Sequence, residues 1–503
     1  MIQFPPTYPR KSSGINSGRK LQMLFLSLFL CLMLVPSACR GNQRQISKDG
    51  VLVYAALNPL SSELEQSIER FNTEHTDVQI EVRDYSDEGG VQRLLVELAA
   101  GHVPDIMELH KIGRIKSNYD GFIRETSYSA SKLDIDPQNS KNWSMYSTIS
   151  EDYWMPYRQL AQKGYLEDLW PYIENDPNFG LDSVLEAPLK AAEIDGGLYM
   201  LFGEVSIATL MGSERVVGER YGWTFEELMD TFSRMPEGSS ILRYDATKKD
   251  VFFNLISPAL NQYVNWDTGE CSYDSKGFRD TLLFLDQFPT ELDSLLSAER
   301  IEEEVTWRVF GGQQMLETTT IHLLENITYH DAFWGGRAAF VGYPTADGSL
   351  GSFFILHGNK LAISVSCANK DAAWEFIRQL IQRSGYNMNS MREAHWMTWV
   401  QILINRKDYD LGNRVDMAQT PEDLPPLRTY KDGPSIPVDP PNEDDLQRLN
   451  ALMDYTTQIY WPNDELSNII WDTIGPYFAG DRTLDETVDL VQRRAMLYVN
   501  ENR

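Results

Sequence analysis

The pattern of hydrophobic and polar positions from residue 51 to residue 109 predicts alternating strands and helices. Apolar residues alternate or run together in three segments, as is typical of strands: Val51 to Leu57, Val78 to Tyr85 and Ile106 to Leu109. Leu64, Ile68 and Phe71 recur at helical spacing between the first two strands. Ser62 with Glu65 matches a capping box at the start of that helix. Because parallel neighbours need a crossover connection, this order predicts a right-handed parallel α/β unit.

Three polar residues follow or end these strands. Ligands of parallel sheets bind at the carboxyl ends of the strands, so Asn58, Asp87 and Glu108 are candidate ligand-binding residues. Asn58 and Asp87 could equally form turns, and for Asp87 the turn is the favoured interpretation. Glu108 could instead face solvent.

The pattern continues with further helices and strands after residue 153. The predicted elements are a helix from Pro156 to Trp170, a β-rich run from Gly196 to Met211, a helix opened by a Thr224 and Glu227 capping box, strands at Ala339 to Tyr343 and Leu361 to Val365, a helix from Asp371 to Ile381, a helix from Leu466 to Phe478 interrupted near Pro476, and a last helix from Thr483 to Asn500. Residues 110–153 and 407–445 show little periodicity, which indicates loops or surface excursions.

The first 38 residues have the pattern of an export signal. Four basic residues precede an uncharged apolar run from Leu21 to Val35, and small residues follow it up to Cys39. A cysteine after Ser37-Ala38 resembles a bacterial lipobox, although Pro36 stands where leucine is usual. Cys39 is therefore the predicted lipidation site. A diacyl group and an amide-linked acyl chain on Cys39 would hold the protein on a membrane. An ordinary cleaved signal or a retained anchor are the alternatives.

Composition excludes some partners. The chain has 503 residues and a formal net charge of −28, so nothing favours nucleic acid, which is bound through Lys and Arg. Its length suits two or more domains. Outside the leader and Cys39 only Cys271 and Cys367 remain, and they could pair or be buried thiols. No Cys/His spacing indicates zinc, the histidines are spaced too irregularly for a metal site, and no cofactor is expected.

Several segments, taken in order, resemble extracellular solute-binding proteins of family 1, the maltose-binding-protein-like type. Besides the lipobox and the first α/β unit, they are Gly101 to Ile106, Ala161 to Leu169, Gly197 to Tyr199, Trp223 to Glu227, Leu361 to Ser364, Asn369 to Phe376 and Tyr477 to Gly480. Each segment alone is weakly specific, and their order makes the resemblance more specific. It covers most of the chain after the leader.

This resemblance implies an α/β protein of the periplasmic-binding-protein type II fold, with two α/β lobes joined by a hinge. The implied divisions are a signal peptide at 1–38, a tether at 39–49, lobe 1 at 50–110 and 357–405, an inserted region at 111–153, and lobe 2 at 154–356 and 406–503 with the C-terminal helices. The strand near Leu361 would then complete the first sheet from far downstream.

The resemblance also implies a function. Such a protein is a non-enzymatic receptor that captures a carbohydrate, often an oligosaccharide, between its lobes and delivers it to the permease subunits of an ABC importer. It would be a monomer, held by its lipid anchor on the outer face of the cytoplasmic membrane, without nucleic acid as a partner.

Sugar sites combine aromatic faces with carboxylates or amides that accept several hydroxyl groups. Glu204 and Ser206 lie in the segment that enters the cleft in the family. Trp471 matches the position of a stacking tryptophan in maltose-binding relatives, and Trp461, upstream of it, is a weaker candidate for the same role. Core packing is an equal alternative for Trp471. Ser352 and Phe353 flank the return to lobe 1 and complete the predicted ligand-binding set.

The chain departs from the family pattern in three places. Residues 110–153 look inserted, the aromatic residue expected after the Pro-Asp-Ile strand is replaced by Leu109, His110 and Lys111, and the linker from about 407 to 445 is unlike that of the maltose protein. The missing aromatic residue is the best reason to expect a ligand other than maltose.

Two alternative functions remain open at this point. A secreted carbohydrate-active hydrolase would need two carboxylates flanking a bond, and Glu204 with Glu108 is one such pair. A surface sensor or adhesin could keep the fold without a transporter. No G-x-S-x-G, HExxH or P-loop motif is present.

Overall fold

A computed structural model of the chain describes the residues from 50 to 502 with several gaps. The described ranges are 50–111, 115–119, 122–126, 148–150, 153–179, 185–243, 246–291, 298–322, 324–349, 351–383, 402–403, 426–428, 433–461 and 464–502. The predicted leader, lipid-bearing Cys39 and tether lie outside them, as do most of the predicted insertion and of the excursion before residue 433. None of the described helices is long and apolar enough to cross a membrane.

The amino-terminal part forms the predicted α/β unit. Its elements are β1 (Val51–Ala56), α1 (Ser62–Glu74), β2 (Gln79–Asp84), α2 (Gly90–Ala99) and β3 (Ile106–Glu108). Strand β1 pairs in parallel with both β2 and β3. The predicted Ser62 and Glu65 capping box is wrong, because Ser61 has the extended backbone of an N-cap and its hydroxyl accepts a hydrogen bond from the Leu64 N–H. Ser62 is already helical.

The chain then passes through short strands and helices. They are β4 (His110–Lys111), β5 (Ile115–Tyr119), β6 (Phe122–Thr126), β7 (Thr148–Ser150), β8 (Tyr153–Trp154), α3 (Tyr157–Gln162), α4 (Trp170–Asn175) and α5 (Glu186–Ala191). Only the first half of the helix predicted from Pro156 to Trp170 is helical, and α4 begins where that prediction ends. Gly164, at φ +69°, ends the first, and the Glu167 N–H then bonds to the Ile363 carbonyl instead of continuing a helix.

The middle of the chain begins with a long strand and continues mainly with helices. The elements are β9 (Leu201–Ser213), α6 (Glu214–Val217), β10 (Trp223–Thr224), α7 (Phe225–Ser233), α8 (Lys248–Val251), a π-helical turn (Phe252–Ile256), a 3-10 helix (Ser257–Tyr263), β11 (Val264–Asn265), β12 (Glu270–Cys271), α9 (Lys276–Leu285), α10 (Ala298–Phe310), β13 (Glu317–Ile321), α11 (Glu325–Trp334), β14 (Ala338–Phe340) and β15 (Pro344–Thr345). The predicted Thr224 and Glu227 capping box is confirmed.

A second long strand opens the last part of the chain. The elements are β16 (Phe353–Ile363), α12 (Lys370–Arg383), β17 (Ile402–Leu403), α13 (Glu443–Tyr455), β18 (Gln458–Ile459), α14 (Asp464–Phe478) and α15 (Leu484–Asn502). The predicted interruption near Pro476 is wrong, because α14 continues through Pro476; the helix ends at Phe478, and its predicted end at Gly480 is confirmed. The sequence also predicts a capping box of Thr483 and Glu486 at the start of the last helix, and it is confirmed, because each side chain accepts a hydrogen bond from the other's backbone N–H.

Strands β9 and β16 join two parts of the molecule. The main sheet has the strand order β13-β9-β16-β3-β1-β2. Residues Leu361–Ile363 of β16 pair with β3, and the other end of the same strand pairs with β18. Strand β9 pairs with β16 along its first half and with β13 and β14 along its second. The α/β class is confirmed, and so is the late strand that completes the first sheet; the exact lobe boundaries stay a prediction.

Two hydrophobic cores lie along these long strands. The first includes β1, β2, β3, helices α1, α2 and α12, and also reaches Phe202 and Leu361. The second is formed by the helices after β10 together with α14 and α15, and it takes Ala208, Leu210 and Phe353 from the long strands. Cys367 is buried in the first core, Cys271 packs beside the second, and both thiols are free in this structure, so they are not paired with each other.

A buried arginine ties the last third of the chain to the second half of the sheet. Arg448 on α13 donates to both oxygens of Asp331 on α11, at 2.8 and 3.0 Å, and to Asp445 at 3.1 Å. It also donates to the Ala338 carbonyl on β14 at 2.6 Å and lies over the Phe340 ring. This network positions α13, and β18 and Trp461 follow directly from that helix.

Candidate functional site

One face of the two long strands changes from apolar to polar between the two cores. Successive side chains of a strand alternate between its faces, so Phe202, Glu204, Ser206, Ala208 and Leu210 share one face of β9. Phe202 belongs to the first core, and Ala208 and Leu210 belong to the second. Glu204 and Ser206 therefore occupy the interval between the cores. We call this interval, with the side chains that meet there, the crossing-strand site.

Strand β16 places two further polar residues on the same face. His357 lies opposite Glu204, and Lys360 lies opposite Phe202. Between these two pairs, Gly358 and Asn359 of β16 face the single residue Gly203 of β9, which makes a β-bulge. Gly358 inside the bulge has φ +65°. The bulge is what turns Lys360 toward Glu204, because strict alternation from His357 would place Lys360 on the opposite face.

The Ser206 side chain is hydrogen-bonded to His357. Its hydroxyl, which is fully buried, lies 2.7 Å from the His357 Nε2 atom, and the His357 ring lies 5.6 Å from the ring of exposed His322. Burial, helped by the neighbouring His322 ring and the Lys360 ammonium, lowers the pKa of His357 to about 3. His357 is therefore neutral at physiological pH and offers one donor and one acceptor nitrogen.

Glu204 differs from the other polar groups of the site. Its carboxyl group forms no hydrogen bond and no ion pair with any residue in the described ranges. Burial, helped by the negative charge of Glu63 on α1 and opposed by the ammonium of Lys360, raises the pKa of this carboxyl group to about 7. A largely buried carboxylate without a donor is costly to hold, so this side chain is available to a ligand that donates hydrogen bonds.

Asn58 and Glu108 meet at the carboxyl end of β1. The buried Glu108 carboxylate accepts hydrogen bonds from the Tyr54 hydroxyl at 2.8 Å, the Leu57 N–H at 2.8 Å, and the Asn58 backbone and side-chain amides at 3.0 and 2.9 Å. Burial raises the pKa of Glu108, while these hydrogen bonds favour its charged form. Both oxygens are occupied, so Glu108 holds the rim in place and faces neither solvent nor an open site.

The rim is joined to the long strands through His110. The Asn58 side-chain amide donates to the His110 carbonyl at 2.8 Å, and the His110 Nδ1 atom lies 3.5 Å from the Lys360 ammonium. Asn58, Glu108 and Lys360 therefore form one continuous polar network beside Glu204. Asp105, at the start of the same strand, accepts a hydrogen bond from the Val53 N–H and supports the strand end.

Asp87 is not brought into this network. It is exposed, pairs with Arg93 at 2.8 Å, and accepts a hydrogen bond from the Gly89 N–H at 3.0 Å. These contacts, made just ahead of α2, match the turn-forming interpretation. Ser352 and Phe353 are buried in or beside the second core instead: the Ser352 hydroxyl donates to Thr209 at 2.8 Å, and the Phe353 ring packs 5.5 Å from Tyr343.

The two candidate tryptophans lie in different surroundings. Trp461 follows β18 and is stacked on Tyr157 with ring centres 5.7 Å apart and planes 28° apart. Trp471 packs against Phe252 and Phe253 and lines a small, mostly apolar cavity of about 150 Å³. None of the residues that line that cavity lies on β9 or β16, so the structure does not place Trp471 at the crossing-strand site.

Sequence reasoning missed Lys360 and His357 as site residues. Lys360 reaches the site only because of the bulge, and His357 was interpreted as a structural histidine. The one signal in the sequence was Gly358 directly after His357, since an isolated glycine in a strand indicates a bulge. No group of three or more His, Cys, Asp or Glu side chains within the described part of the chain is arranged to hold a metal ion.

The crossing-strand site has the chemistry to bind hydroxyl groups. It offers a carboxylate acceptor in Glu204, an ammonium donor in Lys360, and the hydroxyl and imidazole of Ser206 and His357. These groups lie between two cores that are joined by the continuous strands β9 and β16.

Comparisons with known proteins were made at the level of sequence and of structure. No protein-family model matches the sequence, and no curated protein is detectably similar to it. The similar solved structures include an extracellular solute-binding protein of family 1 from Alicyclobacillus acidocaldarius (12% identity, 90% of this chain and 99% of that chain, TM-score 0.46), the sugar-binding protein MalE from Xanthomonas citri (15%, 90% and 97%, 0.44) and a cyclic α-maltosyl-1,6-maltose binding protein from Arthrobacter globiformis (14%, 91% and 100%, 0.44).

Proposed function

We propose that this protein is the extracellular substrate-binding component of an ABC importer. It captures a carbohydrate, preferably an oligosaccharide, at the crossing-strand site and delivers it to the membrane permease as a monomer. The observation that carries the proposal is the polar interval at Glu204, Ser206, His357 and Lys360 on two strands shared by two cores.

This arrangement supports a receptor that closes on its ligand. A ligand bound between two cores gains contacts with both only when they approach, so binding shifts the population toward the closed form. Trp461, which is partly exposed and stacked on the buried Tyr157, is an aromatic side chain of the kind that covers the apolar face of a pyranose ring. Trp461 follows β18, which pairs with β16, so this surface is connected to the same strand as His357.

The contacts of Glu108 disfavour the hydrolase alternative. A glycosidase needs two carboxylates free to act on the bond, one as an acid and one as a base or nucleophile. Glu108 accepts four hydrogen bonds, and Glu204 is the acid of the suggested pair that remains without one. The Glu204 and Glu108 pair therefore lacks a free second carboxylate.

Binding without turnover is the expected behaviour. The purified protein is incubated with neutral mono- and oligosaccharides while tryptophan fluorescence, thermal stability and released sugar are recorded. We expect a saturable signal, and a ligand at a hundredfold excess over its Kd should stabilise the folded state by about 2.7 kcal/mol. Released product would contradict the receptor and favour the hydrolase. A ligand that binds the purified protein, but whose uptake by cells is unchanged when the gene for this protein is deleted, would favour the sensor or adhesin.

Attachment through Cys39 is a separate part of the proposal. Cys39→Ala removes the thiol that would carry the lipid, so we expect the variant to move from the membrane fraction to the soluble extracellular fraction. Cys271→Ala, a change at a cysteine far from the leader, is the matched control and should leave the protein on the membrane. Membrane retention of Cys39→Ala after normal signal cleavage would contradict lipid anchoring.

A further inference from the structure

Helix α3 carries two side chains that reach from the first core to a turn of the second. Leu160 and Ala161 of this helix are buried in the first core. Arg158 and Gln162, one helical turn apart, both donate to the Oδ1 atom of Asp267, each at 3.0 Å. Asp267 lies in the turn between β11 and β12. We call the side chains of Arg158, Gln162 and Asp267 the α3 latch.

The turn that holds Asp267 is fixed to the second core. The Asn265 side chain accepts hydrogen bonds from the Asp267 N–H at 3.0 Å and from the Thr268 N–H at 3.1 Å. Cys271 on β12 packs against the second core, and its carbonyl accepts a hydrogen bond from the Gln492 side chain on α15 at 2.6 Å. The Asp267 carboxylate is therefore held in place relative to the second core.

Helix α3 itself is fixed to the first core beside the rim. Its first residue, Tyr157, is buried, and the Tyr157 hydroxyl donates to the Ala192 carbonyl at 3.1 Å. The N–H of Met155, just ahead of the helix, donates to the Leu109 carbonyl at 2.9 Å, and the Leu109 N–H donates to the Lys360 carbonyl at 2.9 Å. The latch therefore starts from a helix that is anchored next to the crossing-strand site.

The second core lies on the face of β9 that carries the polar interval. Ala208 and Leu210 lie on that face and belong to the second core, and so does Tyr263, which directly precedes β11. Glu204 and Ser206 precede Ala208 on the same face, between the two cores. The α3 latch therefore joins the cores between which these two polar side chains lie.

We propose that the α3 latch retains the ligand at the crossing-strand site by holding the two cores together, and this inference rests on the proposed function. Arg158 and Asp267 act as positioning residues, because they fix the cores and do not belong to the site. Their side chains are 44% and 55% exposed, so solvent screens the pair and its strength is small. Its loss lowers the affinity in proportion to the population in which the cores are joined.

Charge reversal and a charge-swapped double variant test the pairing. Arg158→Glu, Asp267→Arg and the double variant are titrated by calorimetry with the neutral mono- and oligosaccharides of the binding panel, and dissociation is followed by stopped-flow fluorescence. We expect each single variant to bind roughly three- to tenfold more weakly, through faster dissociation, because it places like charges opposite each other. The double variant restores opposite charges and should return to within about twofold of wild type.

Small-angle X-ray scattering of the sugar-free protein gives a readout that does not depend on the ligand. We expect a larger radius of gyration in each single variant than in wild type, and recovery in the double variant. The difference should shrink at high salt, because salt screens exposed charges. Glu237→Arg is the matched control: it makes the same change of charge as Asp267→Arg at another exposed carboxylate, and should alter neither the radius of gyration nor the affinity.

The outcomes separate the latch from the proposed function. Wild-type affinity and a wild-type radius of gyration in both single variants would overturn the latch and leave carbohydrate binding intact. A double variant that resembles the single variants would overturn the pairing of Arg158 with Asp267. Failure of every sugar of the panel to bind wild type would overturn carbohydrate capture, and the scattering comparison would still decide whether the latch holds the cores together.

Discussion

Replacing Arg448 with methionine lowers the free energy of unfolding by about 3 to 5 kcal/mol, the usual effect of removing one partner from a buried ion pair. The Arg448 side chain is 8% exposed and bonds Asp331, Asp445 and the Ala338 carbonyl. Methionine fills much of the same volume but leaves two aspartates without their cation. Urea unfolding followed by fluorescence and circular dichroism measures the change.

Arg158→Met is the matched control. Arg158 pairs with Asp267 at 3.0 Å, but both side chains are about half exposed, so solvent screens the pair. Loss of such a pair changes stability by no more than about 1 kcal/mol. Equal losses in the two variants would contradict the structural role of the Arg448 network.

Replacing Glu204 with glutamine raises stability at alkaline pH. Because the pKa of Glu204 is about 7 in the folded protein and near 4.5 in the unfolded chain, its contribution to stability is fully present below about pH 4.5 and is lost as the pH rises through 7. This difference between the folded-state and unfolded-state pKa values changes the free energy of unfolding by an amount on the order of 3 kcal/mol. Glutamine is neutral throughout, so we expect Glu204→Gln to be more stable than wild type by up to that amount at pH 8.

The shape of the pH profile tests the cause. Stability is measured by urea unfolding between pH 4 and pH 9 for wild type, Glu204→Gln and Glu237→Gln. The Glu204→Gln curve should meet the wild-type curve near pH 4.5 and diverge as the pH rises, whereas Glu237→Gln should follow wild type throughout. Parallel curves for wild type and Glu204→Gln would show that Glu204 is not held in a raised-pKa environment. A residue that is kept at the expense of stability is expected at a binding site.

The elements that depend on local periodicity were predictable from the sequence. Strands β1, β2 and β3 fall within one or two residues of their predicted bounds, because their apolar runs are bounded by polar segments and by a helical repeat. The end of the helix after Gln162 has a signal in the sequence, because Gly164 adopts the positive φ that glycine favours. The extended course that follows was not predictable, because its cause is tertiary: Leu166 bridges to Ser364 on a segment almost two hundred residues later.

The candidate site was only partly predictable for a similar reason. Glu204 and Ser206 stand out as polar residues within an apolar strand, so the sequence alone indicates that they need partners. Lys360 was missed because it reaches them through a one-residue bulge, and a bulge changes which face of a strand a side chain occupies. Glu108 looked like a ligand contact, but its carboxylate is occupied by the Tyr54 hydroxyl and by backbone and side-chain amides of Leu57 and Asn58, which only the fold brings together.

Hydrogen–deuterium exchange with and without bound sugar tests whether the ligand binds at the crossing-strand site. The tightest-binding carbohydrate of the panels is added at saturation, and amide exchange is followed in peptides that cover residues 57–63, 201–208 and 355–361. We expect all three segments to be protected together, because they form the rim and the two strands of the crossing-strand site. Protection confined to residues 464–480 around Trp471, with no change along β9 and β16, would contradict it.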